Sequence, residues 1–301
     1  MKKITIIITV IATLAILLTS CTDKNGFRTN KSGLKYKYYV KGSGDKAQDG
    51  DILFGKIAIF RDTVQIQGTS KDSSILFQLP TAEYLKEHPE IEKDITLEAI
   101  KMLRKGDSIR FAFDQNIIFA KNPEQIDSSF QYFYYVVYVQ DIVSEADHQQ
   151  HEEEKKLAAR TEESAALYQY LENNQIKVNP DTNGVYVVLE RAGSGKKIAK
   201  GDEVGIKYVG KFISGSIFDT NNEKVAKEEG TYSEYGHYDP LTFKVGNNMV
   251  IKGMDDAVVG LQKGTKAKLI IPSSVGYGEQ QRGPIPAFST LIFDIEIVSV
   301  K

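Results

Sequence analysis

The 301-residue sequence has a single cysteine, no tryptophan and almost no excess charge of either sign. One cysteine cannot form an internal disulfide, which excludes a disulfide-stabilised fold. The formal net charge is -2 at pH 7, and no stretch forms the basic stripe expected of a nucleic-acid-binding protein. The sequence also lacks a P-loop, a dinucleotide fingerprint, a nucleophile elbow and an HExxH motif, so the enzyme classes that depend on them are disfavoured.

A charged and then apolar N-terminus is typical of a secretory signal. Lys2 and Lys3 precede an apolar stretch over residues 4–18, which is short for a membrane-spanning helix. The following Leu17-Leu18-Thr19-Ser20-Cys21 resembles a bacterial lipobox, in which the cysteine becomes the lipidated first residue after cleavage. The alternative is an ordinary signal peptide with an incidental cysteine. We therefore expect residues 1–21 to hold a lipoprotein signal peptide with Cys21 as the lipidation site.

The expected signal peptide over residues 1–21 also indicates the location of the protein. A lipidated Cys21 would place the chain in a bacterial cell envelope, anchored to a membrane through lipid, and we expect the outer membrane facing the periplasm. Residues 22–31 are polar and contain Gly26, so they are interpreted as a tether.

The rest of the sequence contains an internal repeat. Residues 32–51 align with residues 183–202 at a constant offset of 151, with Gly33 matching Gly184. Later segments align at an offset of 158, with Gly106 matching Gly264. Glycines that recur in register mark turns of fixed geometry, so a duplication is indicated, with one copy over residues 32–143 and another over residues 175–301.

Each copy is predicted to be an α+β domain, an antiparallel sheet of about five strands wrapped on one short helix. In the second copy, apolar spacing predicts a helix over residues 254–261, ended near Gly264. Short runs rich in Val, Ile, Phe and Tyr predict strands at residues 184–190, 203–213, 241–245, 265–271 and 290–300.

Between the copies, residues 144–174 are rich in helix formers and are predicted to be a helical linker. One weak apolar face is formed by Leu157, Thr161, Ser164, Tyr168 and Leu171 at helical spacing. We expect this helix to pack lightly on one or both domains, and dimerisation through it stays an alternative. His148 and His151 beside Glu152 have metal-ligand spacing, but such a charged run is typical of a solvated face, so no metal is expected.

From Gly184 to Lys301 the second copy resembles FKBP-type peptidyl-prolyl cis/trans isomerases. The segment GDEVGIKYVGKFISGSIFDT contains Tyr208, Phe218 and Asp219, and KAKLIIPSSVGYG contains Tyr277. Three further segments match in the same order, namely LTFKVG, VIKGMDDAVVGLQKG and GPIPAFSTLIFDIEIVSV.

This resemblance implies a site. Tyr208, Phe218, Asp219 and Tyr277 would be catalytic, with the Tyr277 hydroxyl and the Ile251 N–H donating to substrate carbonyls. Taken singly, the aromatic residues would be interpreted as core residues and Asp219 as a turn residue. Rotation about an X-Pro bond makes and breaks no bond, so no cofactor is required. The implied substrate-binding residues are Leu241, Phe243, Val250, Ile251, Met254, Ile285 and Phe293.

The second copy departs from the family in three places. Met254 stands where family members often have tryptophan, and Leu241 where a phenylalanine is common, which predicts weak or altered binding of FK506-like macrolides. Residues 221–239 form a longer segment than in minimal members. Its Lys/Glu-rich half is a candidate short helix, and its second half contains Tyr232, Tyr235, His237 and Tyr238. This segment sets substrate choice or is a solvated insertion.

The first copy lacks the polar site residues. Ile57 aligns with Tyr208, Gln67 and Gly68 with Phe218 and Asp219, and Phe119 with Tyr277. We therefore expect a non-catalytic first domain and an isomerase that acts on proline-containing segments of unfolded exported proteins. The alternative is a chaperone or envelope assembly factor that binds extended chains with little isomerase activity.

Overall fold

The computed structural model describes residues 22–69 and 75–301, and the chain divides into two units between Gln150 and His151. Each unit has its own sheet and its own core. Within the described residues, no helix is both long and apolar enough to cross a membrane. The predicted signal peptide and Cys21 lie outside the described residues.

The second unit contains an antiparallel sheet with strand order β10-β9-β13-β12-β8, and β11 pairs with another part of β9. A six-residue helix, α6 (Lys252–Ala257), contributes Met254 and Ala257 to the core. A second short helix, α5 (Glu223–Glu228), lies between β10 and β11. The strands are β8 (Tyr186–Arg191), β9 (Glu203–Phe212), β10 (Ile217–Thr220), β11 (Leu241–Lys244), β12 (Lys266–Ile271) and β13 (Leu291–Val300).

The first unit has the same strand order with one added strand, β1-β2-β6-β7-β3-β4, and β5 pairs with β3. Its helices are α1 (Ala82–Glu87), α2 (Ile95–Lys101) and α3 (Gln115–Ile118). Its strands are β1 (Arg28–Thr29), β2 (Lys35–Val40), β3 (Ile52–Arg61), β4 (Val64–Gly68), β5 (Ile75–Gln78), β6 (Ser108–Asp114) and β7 (Tyr132–Val143). The prediction of an α+β architecture with two related domains is confirmed.

The strand register of the two units agrees with the duplication found in the sequence. Ile57 pairs with Val137 in the first unit, and Tyr208 pairs with Ile295 in the second, in agreement with both sequence offsets. Both long pairings also shift register at the corresponding point, near Gly55 in one unit and near Ser299 in the other. An inherited bulge explains this coincidence, since bulges redirect a strand and are kept within related folds.

The helix prediction for residues 254–261 needs correction. Helix α6 ends at Ala257, and Gly260 then takes a φ of 85°, which a side chain would disfavour. Gly264, with the same φ, instead forms the turn before β12 rather than ending the helix. Two left-handed glycines four residues apart therefore serve two separate turns.

The connecting segment forms a long helix, α4 (Glu145–Asn173), but its apolar face differs from the predicted one. Leu167 and Leu171 are buried and pack on Ile270 and Ile292 of the second unit. Leu157 and Tyr168, from the predicted face, remain 65% and 66% exposed. With so few apolar residues, several faces satisfy helical spacing, and the apolar sheet surface selects among them. Residues after His151 are therefore part of the second unit rather than a separate linker.

The segment predicted as a tether also belongs to the fold. Phe27 is only 8% exposed and its ring lies 6.0 Å from that of Tyr134. Arg28–Thr29 forms β1 and pairs with β2. Tyr134 corresponds to Ile292 at the offset of 158, so the two copies cover equivalent sheet positions with unrelated segments. Burial of one aromatic ring explains why a mostly polar stretch is held in place.

The position of the buried helix face can be tested by a matched pair of substitutions. Leu167→Ala should lower the free energy of unfolding of the second unit by about 2–3 kcal/mol, because it removes buried methyl groups and leaves a cavity. Leu157→Ala should change it by less than about 0.5 kcal/mol, as expected for an exposed site. Denaturant unfolding of the full chain measures both, and equal effects would contradict the assigned face.

Candidate active site

Three aromatic rings from three strands form one wall of the candidate site. The Tyr208 ring on β9 lies 5.9 Å from the Phe293 ring on β13, and Phe218 on β10 lies 5.6 Å from Phe293 at an interplanar angle of 86°. Such edge-to-face pairs are favourable beyond their buried area. Gly210 makes room for them, because a Cβ there would lie 2.8 Å from the Phe218 ring.

The floor of the site is apolar. Phe243, Met254, Ile285 and Phe293 are all buried in one core cluster. Val250 and Ile251, partly buried, pack against the same cluster. Leu241 differs from these residues, since it is 36% exposed at the start of β11. The structure thus brings the predicted wall and floor residues together, with Leu241 outside the buried set.

A hydrogen bond joins two of the predicted catalytic residues. The Tyr208 hydroxyl donates to an Asp219 carboxylate oxygen at 2.6 Å. Burial of the Tyr208 phenol, with the hydrogen bond and negative charge of Asp219, raises the pKa of Tyr208 well above its ordinary value of 10.0. Asp219 itself is exposed, at the edge of the site.

Two hydrogen-bond donors at the site have no acceptor among the described residues. One is the hydroxyl of Tyr277, which is 37% exposed and follows the three-ten turn Ser273–Val275. This residue lies close enough to Tyr208 to contribute to the raised pKa of that phenol. The other is the backbone N–H of Ile251, the residue that caps the N-terminus of α6. Free donors beside an apolar wall suit the carbonyl groups of an extended peptide.

Two buried polar residues that support the site were missed by the sequence reasoning. Asn221 accepts from the Tyr208 N–H at 2.7 Å and donates to the carbonyls of Ile206 and Asp239. Asp255, within α6, accepts from the backbone N–H groups of Gly246 and Asn248. Both are less than 5% exposed. Asn221 looked like a turn residue, and the only available signal for Asp255 was a carboxylate within an apolar helix pattern.

The insertion over residues 221–239 borders the Asp219 edge of the site. Its Lys/Glu-rich half forms α5, as predicted. The Tyr232 and Tyr238 rings stack 5.4 Å apart at an interplanar angle of 10°. Between the insertion and β10 lies a cleft of about 140 Å³. Its lining includes Phe218, Asp219, Thr231 and Tyr238.

Strand pairing refines the comparison with the first copy. Ile57 occupies the place of Tyr208, as aligned. Gln67 pairs with Ile59 where Asp219 pairs with Gly210, so Gln67, rather than Gly68, corresponds to Asp219. Phe119 follows α3 and contacts the Phe133 ring. At these described positions the first copy therefore has no counterpart of the Tyr208–Asp219 hydrogen bond or of the Tyr277 hydroxyl.

The histidine pair on α4 does not gather a metal-binding group. Across the described part of the chain, no cluster of three or more His, Cys, Asp or Glu side chains is arranged to hold an ion. The His148 ring instead lies 5.6 Å from the ring of Phe54.

The second copy is similar to proteins of known family. Residues 194–298 match the model of the FKBP-type peptidyl-prolyl cis-trans isomerase family. FK506-binding protein 4 of Chaetomium thermophilum is 34% identical over 118 residues, which are 39% of this chain and 22% of that protein. FK506-binding protein 3 of Eremothecium gossypii is 37% identical over the same length, 39% of this chain and 25% of the relative. The chain thus spans about a quarter of the length of these relatives.

Among solved structures, FkpA from Escherichia coli aligns with 52% of this chain and 68% of its own. The identity is 28% and the TM-score is 0.40.

The raised pKa of Tyr208 predicts a loss of stability in alkali. The contribution of this group to folding is fully present below pH 10 and is lost as pH rises toward its folded pKa, since only the unfolded phenol ionises there. Between pH 9 and pH 11 the wild type should lose about 1 kcal/mol more unfolding free energy than Tyr208→Phe. Guanidinium unfolding at both pH values measures this difference. Identical losses would show that Tyr208 ionises as an ordinary tyrosine.

Proposed function

We propose that this chain, whose residues 194–298 match the FKBP-type peptidyl-prolyl cis-trans isomerase family, is a peptidyl-prolyl cis/trans isomerase that assists the folding of exported proteins in a bacterial envelope. The observation that carries the catalytic part is the pair of free donors, the Tyr277 hydroxyl and the Ile251 N–H, beside the buried wall around Phe293. This arrangement can bind a peptide on either side of a proline ring.

The chemistry requires binding rather than bond making. Rotation about an X-Pro bond has a barrier of about 20 kcal/mol, because the twisted amide loses its resonance. A site that binds the twisted form more tightly than the planar form lowers this barrier. The apolar wall of Tyr208, Phe218 and Phe293 excludes water from the amide carbonyl, which disfavours the polar planar form.

The polar groups at the rim would orient the substrate. The Tyr277 hydroxyl and the Ile251 N–H would each donate to a peptide carbonyl and so fix the chain while the imide rotates. The Tyr208 hydroxyl holds the Asp219 carboxylate at 2.6 Å, which keeps its negative charge beside the amide. That charge would favour the twisted amide through its carbonyl carbon, which becomes more electron-poor when the nitrogen lone pair no longer conjugates with it.

The envelope location is supported by the N-terminal sequence alone. Lys2, Lys3, the apolar stretch and Cys21 fit a bacterial lipoprotein signal. In this proposal a lipid on Cys21 anchors the chain to a membrane, with the outer membrane facing the periplasm as the expected place. Unfolded exported proteins with proline-containing segments would then be the substrates.

Macrolide binding is proposed to be weak. The relatives are named for binding FK506, and the same apolar site would accept such a ligand in this chain. Met254 at the floor offers a flexible thioether chain rather than a flat aromatic surface, and Leu241 is exposed at its edge. Both features reduce the surface available to a rigid ring.

A second candidate function is a chaperone that binds extended chains through the first unit. It is favoured by β4, a terminal strand of its sheet with Val64 and Ile66 exposed by 62% and 51%. A terminal strand can pair with an added strand from another chain. Suppression of client aggregation that survives loss of isomerase activity would support this candidate.

An assay on the full chain tests the isomerase proposal. The protein should accelerate cis-to-trans conversion in a protease-coupled peptide assay, and Tyr277→Phe should lower kcat/KM by about tenfold, because one hydrogen bond in the transition state contributes about 1.4 kcal/mol. Asp219→Ala should lower it by a similar factor. Tyr168→Phe, which alters an exposed tyrosine on α4, is the matched control. A wild-type rate equal to the uncatalysed rate would contradict the proposal. Addition of FK506 to the same assay measures inhibition by the macrolide.

Lipidation is tested separately. Cells of a bacterial host that express the full chain should incorporate labelled palmitate into it, and the protein should fractionate with membranes. Cys21→Ser should abolish the label and release the protein, since it removes the acceptor thiol. Unlabelled wild-type protein would contradict the proposed anchor without affecting the isomerase assignment.

A further inference from the structure

Residues 273–290 form the loop that carries Tyr277, and both ends of this loop bind one carboxylate. Glu163 of α4 accepts from the Ser273 N–H at 2.7 Å, from the Ser273 hydroxyl at 2.5 Å and from the Thr290 hydroxyl at 2.7 Å. Ser273 and Thr290 are 5% and 3% exposed. A single side chain therefore closes the loop at its base.

The loop transmits this anchoring to Tyr277 through its own backbone. The Gly278 N–H donates to the Ser273 carbonyl at 2.8 Å, and the Phe288 N–H donates to the Gly278 carbonyl at 2.9 Å. Gly278 directly follows Tyr277. The residue next to the tyrosine is therefore hydrogen-bonded both to Ser273, which binds Glu163, and to Phe288 near the other end of the loop.

Helix α4 has a second set of contacts with the same loop. Arg160 forms a hydrogen-bonded ion pair with Glu279, and Lys156 lies 3.4 Å from the other oxygen of that carboxylate. These pairs are exposed, so each contributes little by itself. The buried leucines Leu167 and Leu171 hold the same helix against the sheet. The helix is therefore a fixed support from which Glu163 can act.

We propose that Glu163 is a positioning residue of the isomerase, which holds the loop over residues 273–290 so that the Tyr277 hydroxyl meets the substrate. The inference rests on the proposed function, because it concerns the geometry of that same site. It also makes the part of α4 from His151 to Asn173 a component of the catalytic unit. Removal of the Glu163 carboxylate would leave buried donors unsatisfied and let the loop sample arrangements in which Tyr277 is misplaced.

The conservative variant separates shape from charge. In Glu163→Gln the amide oxygen can still accept from the Ser273 N–H and the Thr290 hydroxyl, while the amide nitrogen donates to the Ser273 hydroxyl, which also accepts. We therefore expect Glu163→Gln to keep at least half of the wild-type kcat/KM. Glu163→Ala, which removes all three bonds, should lower kcat/KM about tenfold. Glu162→Ala alters the exposed neighbour on the same helix and should leave the rate unchanged.

A double-substitution cycle on the full chain tests whether Glu163 acts through Tyr277. If it does, Glu163→Ala should lower kcat/KM by less than twofold in a Tyr277→Phe background, since the hydroxyl it positions is already absent. Hydrogen–deuterium exchange should also rise in residues 274–289 of Glu163→Ala and stay unchanged in Glu162→Ala.

The outcomes are distinct. A wild-type chain without isomerase activity would contradict both the proposed function and this inference. An active wild type with unchanged activity in Glu163→Ala would overturn the inference alone. Independent tenfold losses that multiply in the double variant would also overturn it, because they would show a general structural role for Glu163 rather than one exerted through Tyr277.

Discussion

The antiparallel pairing of β9 with β13 is the constraint on which the candidate site depends. It places Tyr208 opposite Ile295 and Phe293 opposite Gly210, so the two rings become diagonal neighbours on one sheet face. The absence of a side chain at Gly210 then lets the Phe218 ring reach the Phe293 ring. A slip of one residue would turn each of these side chains to the opposite face and remove the wall. Asn221 also holds the start of the insertion on β9, because it forms hydrogen bonds with the backbone of Tyr208 and Ile206.

The first unit has the same backbone constraint with different side chains at the corresponding positions. Its long strands pair in the corresponding register, including the bulge near Gly55. Yet Ile57 and Gln67 replace the Tyr208–Asp219 pair, and Phe119 has no hydroxyl to offer. The two copies thus share a fold but differ in the side chains of the candidate site, as is common when chemistry resides in a few side chains on a shared scaffold.

Much of the fold could be predicted because the sequence patterns that indicate it are either local, such as strand-forming runs, or repeated in both copies. Strand positions follow from β-branched runs between glycines, and the two offsets align the copies almost to the residue. The buried face of α4 could not be predicted in this way, since Leu157 and Leu167 are equally apolar and only the sheet surface distinguishes them.

The residues that support the site could not be predicted from the sequence. Asn221, Asp255 and Glu163 are ordinary polar residues in sequence, and their importance comes from partners far along the chain. The aromatic and hydroxyl groups of the site could be predicted because their sequence segments resemble a family. The residues that hold these groups in place could be found only from their contacts in the structure. The leader and Cys21 stay a prediction from sequence.

We propose that the second unit alone holds an isomerase site. The most direct test is NMR exchange spectroscopy on a proline-containing peptide with substoichiometric, isotope-labelled full chain. We expect accelerated cis/trans exchange, with peptide-induced shifts confined to the second unit around Tyr208, Ile251 and Tyr277. Unaccelerated exchange, or shifts centred on the first unit, would contradict it.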